Sequence, residues 1–232
     1  VTDLVSYDLT DGVATITISN GKANAMGHEV FEGLNKALDQ AEQDKAIVIL
    51  TGQPGIFSAG YDLKEMQKGP NEAAALVKVG STFTRRLAAF PLPVIGACSG
   101  HAIAKGAFIL LSVDYRVGIE GPFKLGLNEV AIGMTMHHAG LEIARHRLVP
   151  AHFYRSVVNA EIYSPEGAAE AGFLDEVVAQ DKLAERALEL AKYFKTLNMR
   201  AHRETKVKAK AGYLAALDDA IEKDAESLGL NG

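Results

Sequence analysis

An apolar run that breaks into a turn of small residues and then a helical pattern occurs twice in this chain. This repetition constrains the fold more than any other feature. Residues 46–51 lead toward Ser58-Ala59-Gly60-Tyr61-Asp62, and residues 94–99 lead into Gly100-His101-Ala102-Ile103-Ala104-Lys105-Gly106. Short apolar strands alternating with helices build an α/β core, because each strand needs a helix to cover its apolar face. Small side chains in the turns leave backbone N–H groups uncovered, so two such turns can aim donors at one oxygen atom. A third stretch, Gly126-Leu127-Asn128-Glu129-Val130, sets one carboxylate among apolar neighbours. Two backbone donors and one base are the minimum equipment for removing a proton beside a carbonyl and holding the resulting enolate.

The remaining pattern fits the same architecture. Residues 5–9 and 13–18 flank Thr10-Asp11-Gly12 and read as a hairpin. A helix is expected over 27–44, with Val30, Leu34, Ala37, Leu38 and Ala41 on one face, and another over 72–90, stopped by Pro91 and Pro93. Residues 102–111 read as an almost wholly apolar helix, and 115–119 and 176–178 as strands. Ser164 is expected to cap a helix that has Pro165 at its first position. Residues 183–197 and 203–228 are amphipathic, and Lys206, Lys208 and Lys210 read as a solvated face. The chain thus divides into a core of residues 1–197 and a helical segment of residues 198–232.

Composition narrows the function classes. A net charge of −5 argues against a broad nucleic-acid surface, which would be strongly basic. Cys98 is the only cysteine, so no intrachain disulfide can form, and its apolar neighbours make it a buried thiol. No apolar stretch approaches a membrane span, and a cytoplasmic protein without membrane partners is the expectation. Gly55 and Gly60 have phosphate-loop spacing, but Tyr61-Asp62 stands where Lys-Ser/Thr is required. No glycine fingerprint for a dinucleotide follows the first strand, and Gly96-Ala97-Cys98-Ser99-Gly100 is not a nucleophile elbow. His137 and His138 are adjacent rather than spaced along a helix face, so no metal site is expected.

Phe57-Ser58-Ala59-Gly60-Tyr61-Asp62-Leu63-Lys64-Glu65-Met66 resembles the F-[SA]-A-G-x-D-[LI]-K-E-M signature of the crotonase (enoyl-CoA hydratase/isomerase) superfamily. The segment from Ser99 to Ala107 resembles that family's G-x-A-x-G-G-G stretch, and Asp114-Tyr115-Arg116-Val117 and Gly126-Leu127-Asn128-Glu129 follow in order. The resemblance covers residues 5–197 and implies a spiral of stacked β-β-α units with a C-terminal helical region. It further implies a homotrimer or a dimer of trimers, and a coenzyme A thioester as substrate with no permanently bound cofactor.

Carried over residue by residue, the resemblance makes the backbone N–H groups of Ala59 and Lys105 the oxyanion hole. Lys105 stands where glycine is usual, so its side chain must point away from the thioester or alter the pocket. Lys22, Asn24, Ala25, Ser58, Ala59, Gly60, Asp62 and Lys64 are the implied CoA-binding residues, with Lys22 and Lys64 as phosphate partners. Met66, Phe108, Met134, His137 and His138 are the implied acyl pocket, which is built from Met66 and the stretches 73–83 and 134–138.

Hydratases of the family use two carboxylates. Glu129 matches the second, and Phe108 occupies the first position. A phenyl ring excludes the water that hydration needs, whereas one glutamate can carry a proton from C2 to C4 of a 3-enoyl thioester. The favoured expectation is therefore a Δ3-to-Δ2 enoyl-CoA isomerase with Glu129 as sole proton carrier. Two alternatives stay open. One is a hydratase in which His137 or His138 replaces the missing carboxylate, and the other is a non-catalytic acyl-CoA- or RNA-binding relative.

Overall fold

The computed structural model describes residues 2–227. Strands β1 (Val5–Thr10) and β2 (Val13–Ile18) form an antiparallel hairpin around Asp11 and Gly12, both at positive φ. Positive φ at both turn residues is the twist a two-residue hairpin requires, and Asp-Gly adopts it readily. Helix α1 (His28–Gln43) follows and buries Val30, Phe31, Leu34, Ala37, Leu38 and Ala41.

A unit of two strands and a helix then repeats. The first comprises β3 (Ile47–Thr51), β4 (Gly55–Ser58), the single turn α2 (Leu63–Met66) and the long α3 (Pro70–Ala89). The second comprises β5 (Val94–Cys98), β6 (Gly100–Ile103) and α4 (Lys105–Ser112). The third comprises β7 (Tyr115–Ile119), β8 (Leu125–Gly126), a 3-10 turn at Val130–Ile132 and α5 (His138–Arg147). The first strand of each unit joins one sheet, in which β3, β5 and β7 run parallel; the second strand joins another, in which β4, β6 and β8 run parallel. Successive units therefore stack, and equivalent turns lie side by side.

The chain continues through α6 (Pro150–Val157), β9 (Ile162–Tyr163), α7 (Pro165–Ala171), β10 (Glu176–Val178), α8 (Leu183–Lys195), α9 (Met199–Ala209) and α10 (Ala211–Ser227). The larger sheet is covered on both faces. Ala14, Ile16, Ile18, Val48 and Leu50 join the main core with α1, while Val13, Ile47, Ile49, Ile95 and Val117 pack under Ala187, Leu190 and Ala191 of α8. Ser164 Oγ accepts the Gly167 N–H and caps α7.

Three expectations are corrected here. Residues 102 and 103 belong to strand β6, so the apolar helix begins only at Lys105. The helix expected over 203–228 divides at Lys210 into α9 and α10, and residue 228 lies outside the described residues. Lys206 and Lys210 are not a solvated face. The Lys206 ammonium group is buried and donates to Phe90 O, Leu92 O and Asp114 Oδ2, and Lys210 Nζ donates to Ala88 O and Asp114 Oδ1. These bonds fasten the C-terminal helices to the ends of α3, β5 and β7.

Candidate active site

The pairing of β4 with β6 sets the site. Gly55 faces Gly100 and Ser58 faces Ala102, so the turns that follow these strands meet. Gly106 permits the approach, because a Cβ there would lie 2.5 Å from the Ser58 carbonyl oxygen. Gly60, at φ +109°, rests against Ala104 and the Lys105 amide. Ser58 is fully buried, and its Oγ accepts the Gly60 N–H, which fixes the turn.

Ala59 does not supply a free donor. Its N–H donates to the Ala23 carbonyl at 2.9 Å, which corrects the expected oxyanion role. Gly60 then redirects the chain, and the next N–H, that of Tyr61, has no acceptor among the described residues. The Lys105 N–H opens helix α4 and likewise has none. It belongs to the first turn of a helix, where the peptide dipoles favour developing negative charge.

Beside these turns lies a cavity of about 640 Å³. Tyr61, Ala104, Glu129, Met66, Met134 and His137 are among its walls, with Lys22, Ala25, Asp62 and Lys64 on the side of the 20–25 loop and α2. Val77 of α3 and Thr135, from the two stretches expected at the pocket, also line it, as do Asn128 and Ile132, which were not expected.

Several expected contacts are corrected. Asn24 is wholly buried at φ +47°, and its amide group binds the Asn20 N–H and the carbonyls of Ile18 and Phe57; it shapes the loop and does not line the cavity. Ser58 and Gly60 lie behind the wall, and Asp62 is committed to capping α2 through the N–H groups of Lys64 and Glu65. Phe108 is fully buried and also lies behind the wall, with its ring edge-to-face on His137 at 5.4 Å between centroids. The imidazole of His137, not the phenyl ring, faces the cavity there. His138 turns away, lining a separate crevice with Glu142, Asp219 and Lys223.

An unexpected contact holds this wall. Asp224 of α10 is buried, and its carboxylate accepts the N–H groups of His138 and Ala139 at 2.7 and 2.9 Å. It caps α5, whose own first residues offer no side-chain cap. The two ends of this contact are 86 residues apart, beyond the reach of any local pattern.

Glu129 is 8% exposed, and its Oε2 has no protein partner. Burial pushes its pKa up to about 7, against the opposing influence of its own backbone N–H and the Lys105 charge. Burial, aided by the charges of Lys105 and His138, pushes His137 down to about 3, so its ring is neutral at pH 7. Lys105 is fully buried, and burial lowers its pKa to about 7. Its side chain points away from the cavity, toward Thr84 of α3. Asp62 and Glu129 supply the only carboxylates in the wall among the described residues, and Asp62 is committed to its cap. No group of three or more His, Cys, Asp or Glu side chains among those residues is placed to share a metal ion.

The profile of the enoyl-CoA hydratase/isomerase family matches residues 8–229. This chain belongs to that family. It is 31% identical over 196 residues to a probable enoyl-CoA hydratase of Bacillus subtilis, covering 82% of this chain and 75% of the relative. A crystal structure of an enoyl-CoA hydratase/isomerase family protein from Pseudomonas syringae superposes with a TM-score of 0.96 at 58% identity, covering 97% of this chain and 98% of the other. An enoyl-CoA isomerase of Mycobacterium tuberculosis superposes at 0.92 with 38% identity, covering 97% and 98%. The fold is the crotonase fold, and relatives carry both hydratase and isomerase names.

Proposed function

We propose that this family member is a Δ3-to-Δ2 enoyl-CoA isomerase in which Glu129 carries the proton. The carrying observation is that Glu129 is the one uncommitted carboxylate in the cavity wall among the described residues, with a pKa near 7. Such a group can accept a proton and return it at neutral pH with little penalty in either direction. Glu129 takes a proton from C2 of the 3-enoyl thioester, and the electron pair delocalises into a dienolate. The Tyr61 and Lys105 N–H groups, both without protein acceptors, hold the thioester oxygen as it gains charge. The glutamic acid then returns the proton to C4, and the double bond is left conjugated with the thioester. This proton shuttle needs no resident cofactor. Lys22 and Lys64, on the wall beside the 20–25 loop, are suited to the CoA phosphates.

The hydratase reading rests on His137, whose imidazole faces the cavity with Nε2 unpartnered. A ring with a pKa near 3 takes up a proton poorly at pH 7, so it can bind a water but activates it weakly. The isomerase reading is therefore preferred on the basicity of the wall, and no longer on a phenyl surface. A homotrimer or dimer of trimers is the assembly proposed from the family resemblance, and the exposed Tyr154 and Val158 of the α6 region are apolar side chains that a neighbouring subunit could cover. Incubation with 3-hexenoyl-CoA and crotonyl-CoA in heavy-oxygen water tests the reading. Conversion of 3-hexenoyl-CoA to a conjugated product of unchanged mass is expected; a labelled 3-hydroxyacyl-CoA as the main product from crotonyl-CoA would overturn it.

A further inference from the structure

Gly80 stands midway along the 20-residue helix α3, where a glycine weakens the helix through the extra freedom it gives the unfolded chain. Its backbone is ordinary helix, without positive φ, so no turn calls for a glycine there. Space does. A Cβ at this buried position would lie 2.7 Å from Tyr61 Cε1 and 2.9 Å from Lys105 Cε, and closer still to Tyr61 Oη. The two side chains that fill the gap belong to the two residues whose backbone N–H groups lack a protein acceptor at the site.

The same face of α3 holds the tips of both side chains. One turn before Gly80, the Val77 carbonyl accepts the Tyr61 hydroxyl at 3.4 Å. One turn after it, Thr84 Oγ1 accepts Lys105 Nζ at 3.3 Å, with its own hydrogen directed at the carbonyls of Gly80 and Ser81. Lys105 Nζ lies 5.6 Å from the centre of the Tyr61 ring, and the Phe31 ring of α1 lies 6.2 Å from it. At the front, the turns that carry the two amides abut directly: a Cβ on Gly60 would lie 3.1 Å from Ala104 Cβ and 3.6 Å from the Lys105 nitrogen. Each donor residue is therefore held twice, by the neighbouring turn at its backbone and by α3 at its side chain. A side chain packed on all sides transmits a push at its tip to its own Cα and amide.

We propose that Gly80 is a positioning residue of the oxyanion hole: its missing side chain is the socket where the Tyr61 and Lys105 side chains meet, and α3 thereby sets the separation and direction of the two N–H donors. The proposal rests on the reading of these two amides as the holders of the thioester oxygen. A donor displaced by a fraction of an ångström loses more of its bond to a developing oxyanion than to a neutral carbonyl. The effect of a disturbed socket therefore falls on kcat and leaves KM nearly unchanged.

Gly80→Ala places a methyl group in the socket. Two readouts are compared with wild type: kcat and KM for 3-hexenoyl-CoA, and the infrared carbonyl band of bound 2-hexenoyl-CoA carrying 13C at the thioester carbon. Two donors lower that band in wild type relative to the free thioester in buffer. In Gly80→Ala the downshift is expected to shrink by about half or more, kcat to fall roughly 10- to 100-fold and KM to stay within about three-fold. Adding Tyr61→Phe, which removes the atom nearest the new methyl, should return part of both losses. Lost helix packing alone would lower the unfolding temperature without moving the carbonyl band. Should Gly80→Ala not fold, Lys105→Ala empties the socket from the other side without a clash and carries the same expectation for the band. A band and kcat that match wild type in folded Gly80→Ala overturn the proposal, as does an unmoved band in Lys105→Ala or the absence of any downshift in wild type. Failure of the isomerase reading is seen separately, as 3-hexenoyl-CoA left unconverted by wild type, while the band of bound 2-hexenoyl-CoA still decides the role of Gly80.

Discussion

Lys105 Nζ lies 5.6 Å from the centre of the Tyr61 ring, while the backbone N–H groups of these same two residues are both without a protein acceptor. Two residues thus present amides to the site and pack their side chains together behind it. The parallel pairing of β4 with β6 makes this possible, because it brings the turns that follow each strand into contact.

Burial of Glu129 has a consequence for stability. Its folded pKa, about 7, lies above the ordinary glutamate value of 4.5, so between these pH values the unfolded chain releases a proton that the folded chain keeps. Stability associated with this group is full below about pH 4.5, falls as pH rises to 7, and levels off above. Glu129→Gln removes the dependence. The variant should match wild type near pH 4 and exceed it above pH 7 by on the order of 3 kcal/mol, measured by urea unfolding across pH. A difference that shrinks as pH rises would contradict the burial argument.

Ala104 stands immediately before the Lys105 donor at φ +52° and ψ −118°, a conformation that suits glycine and strains a residue with a Cβ. Ala104→Gly should relieve that strain and stabilise the protein by about 1 kcal/mol, offset in part by greater freedom of the unfolded chain. Thermal unfolding checks this, and a lower Tm would show that the Ala104 methyl contributes more through packing than the backbone loses.

Asp224 joins the C-terminal helix to the wall that carries His137. Asp224→Ala leaves the His138 and Ala139 amides without their acceptor and should cost about 1–3 kcal/mol. The loosened 134–137 segment should raise KM for the acyl substrate more than it lowers kcat. Asp224→Asn, which keeps one acceptor oxygen, should fall between the variant and wild type in both measurements.

The sequence made the hairpin, α1, α3 and the larger sheet legible, because their apolar residues follow the period of the element that buries them. Glu129 was legible for a related reason, as a lone carboxylate among Leu127, Val130 and Ile132. Residues 102 and 103 were misread because a short apolar run fits strand and helix alike, and only pairing with β8 decides it. The motif gives the turn but not the direction of each N–H, which Gly60 reverses, so it points to Ala59 whereas the Tyr61 N–H is the one left without an acceptor. Phe108 was placed in the pocket by motif position alone, whereas its contact with His137 depends on how α4 meets α5. The burial of Lys206 and the reach of Asp224 come from contacts about 90 residues apart, on which local periodicity is silent.

The central claim is that one carboxylate moves the proton, and steady-state turnover of 3-hexenoyl-CoA by Glu129→Gln measures it most directly. The substitution keeps the shape of the side chain and removes its basicity. A fall in kcat of about 10²- to 10⁴-fold is predicted, with acyl-CoA binding within a few-fold of wild type. Turnover close to wild type in a folded, CoA-binding variant would contradict the account.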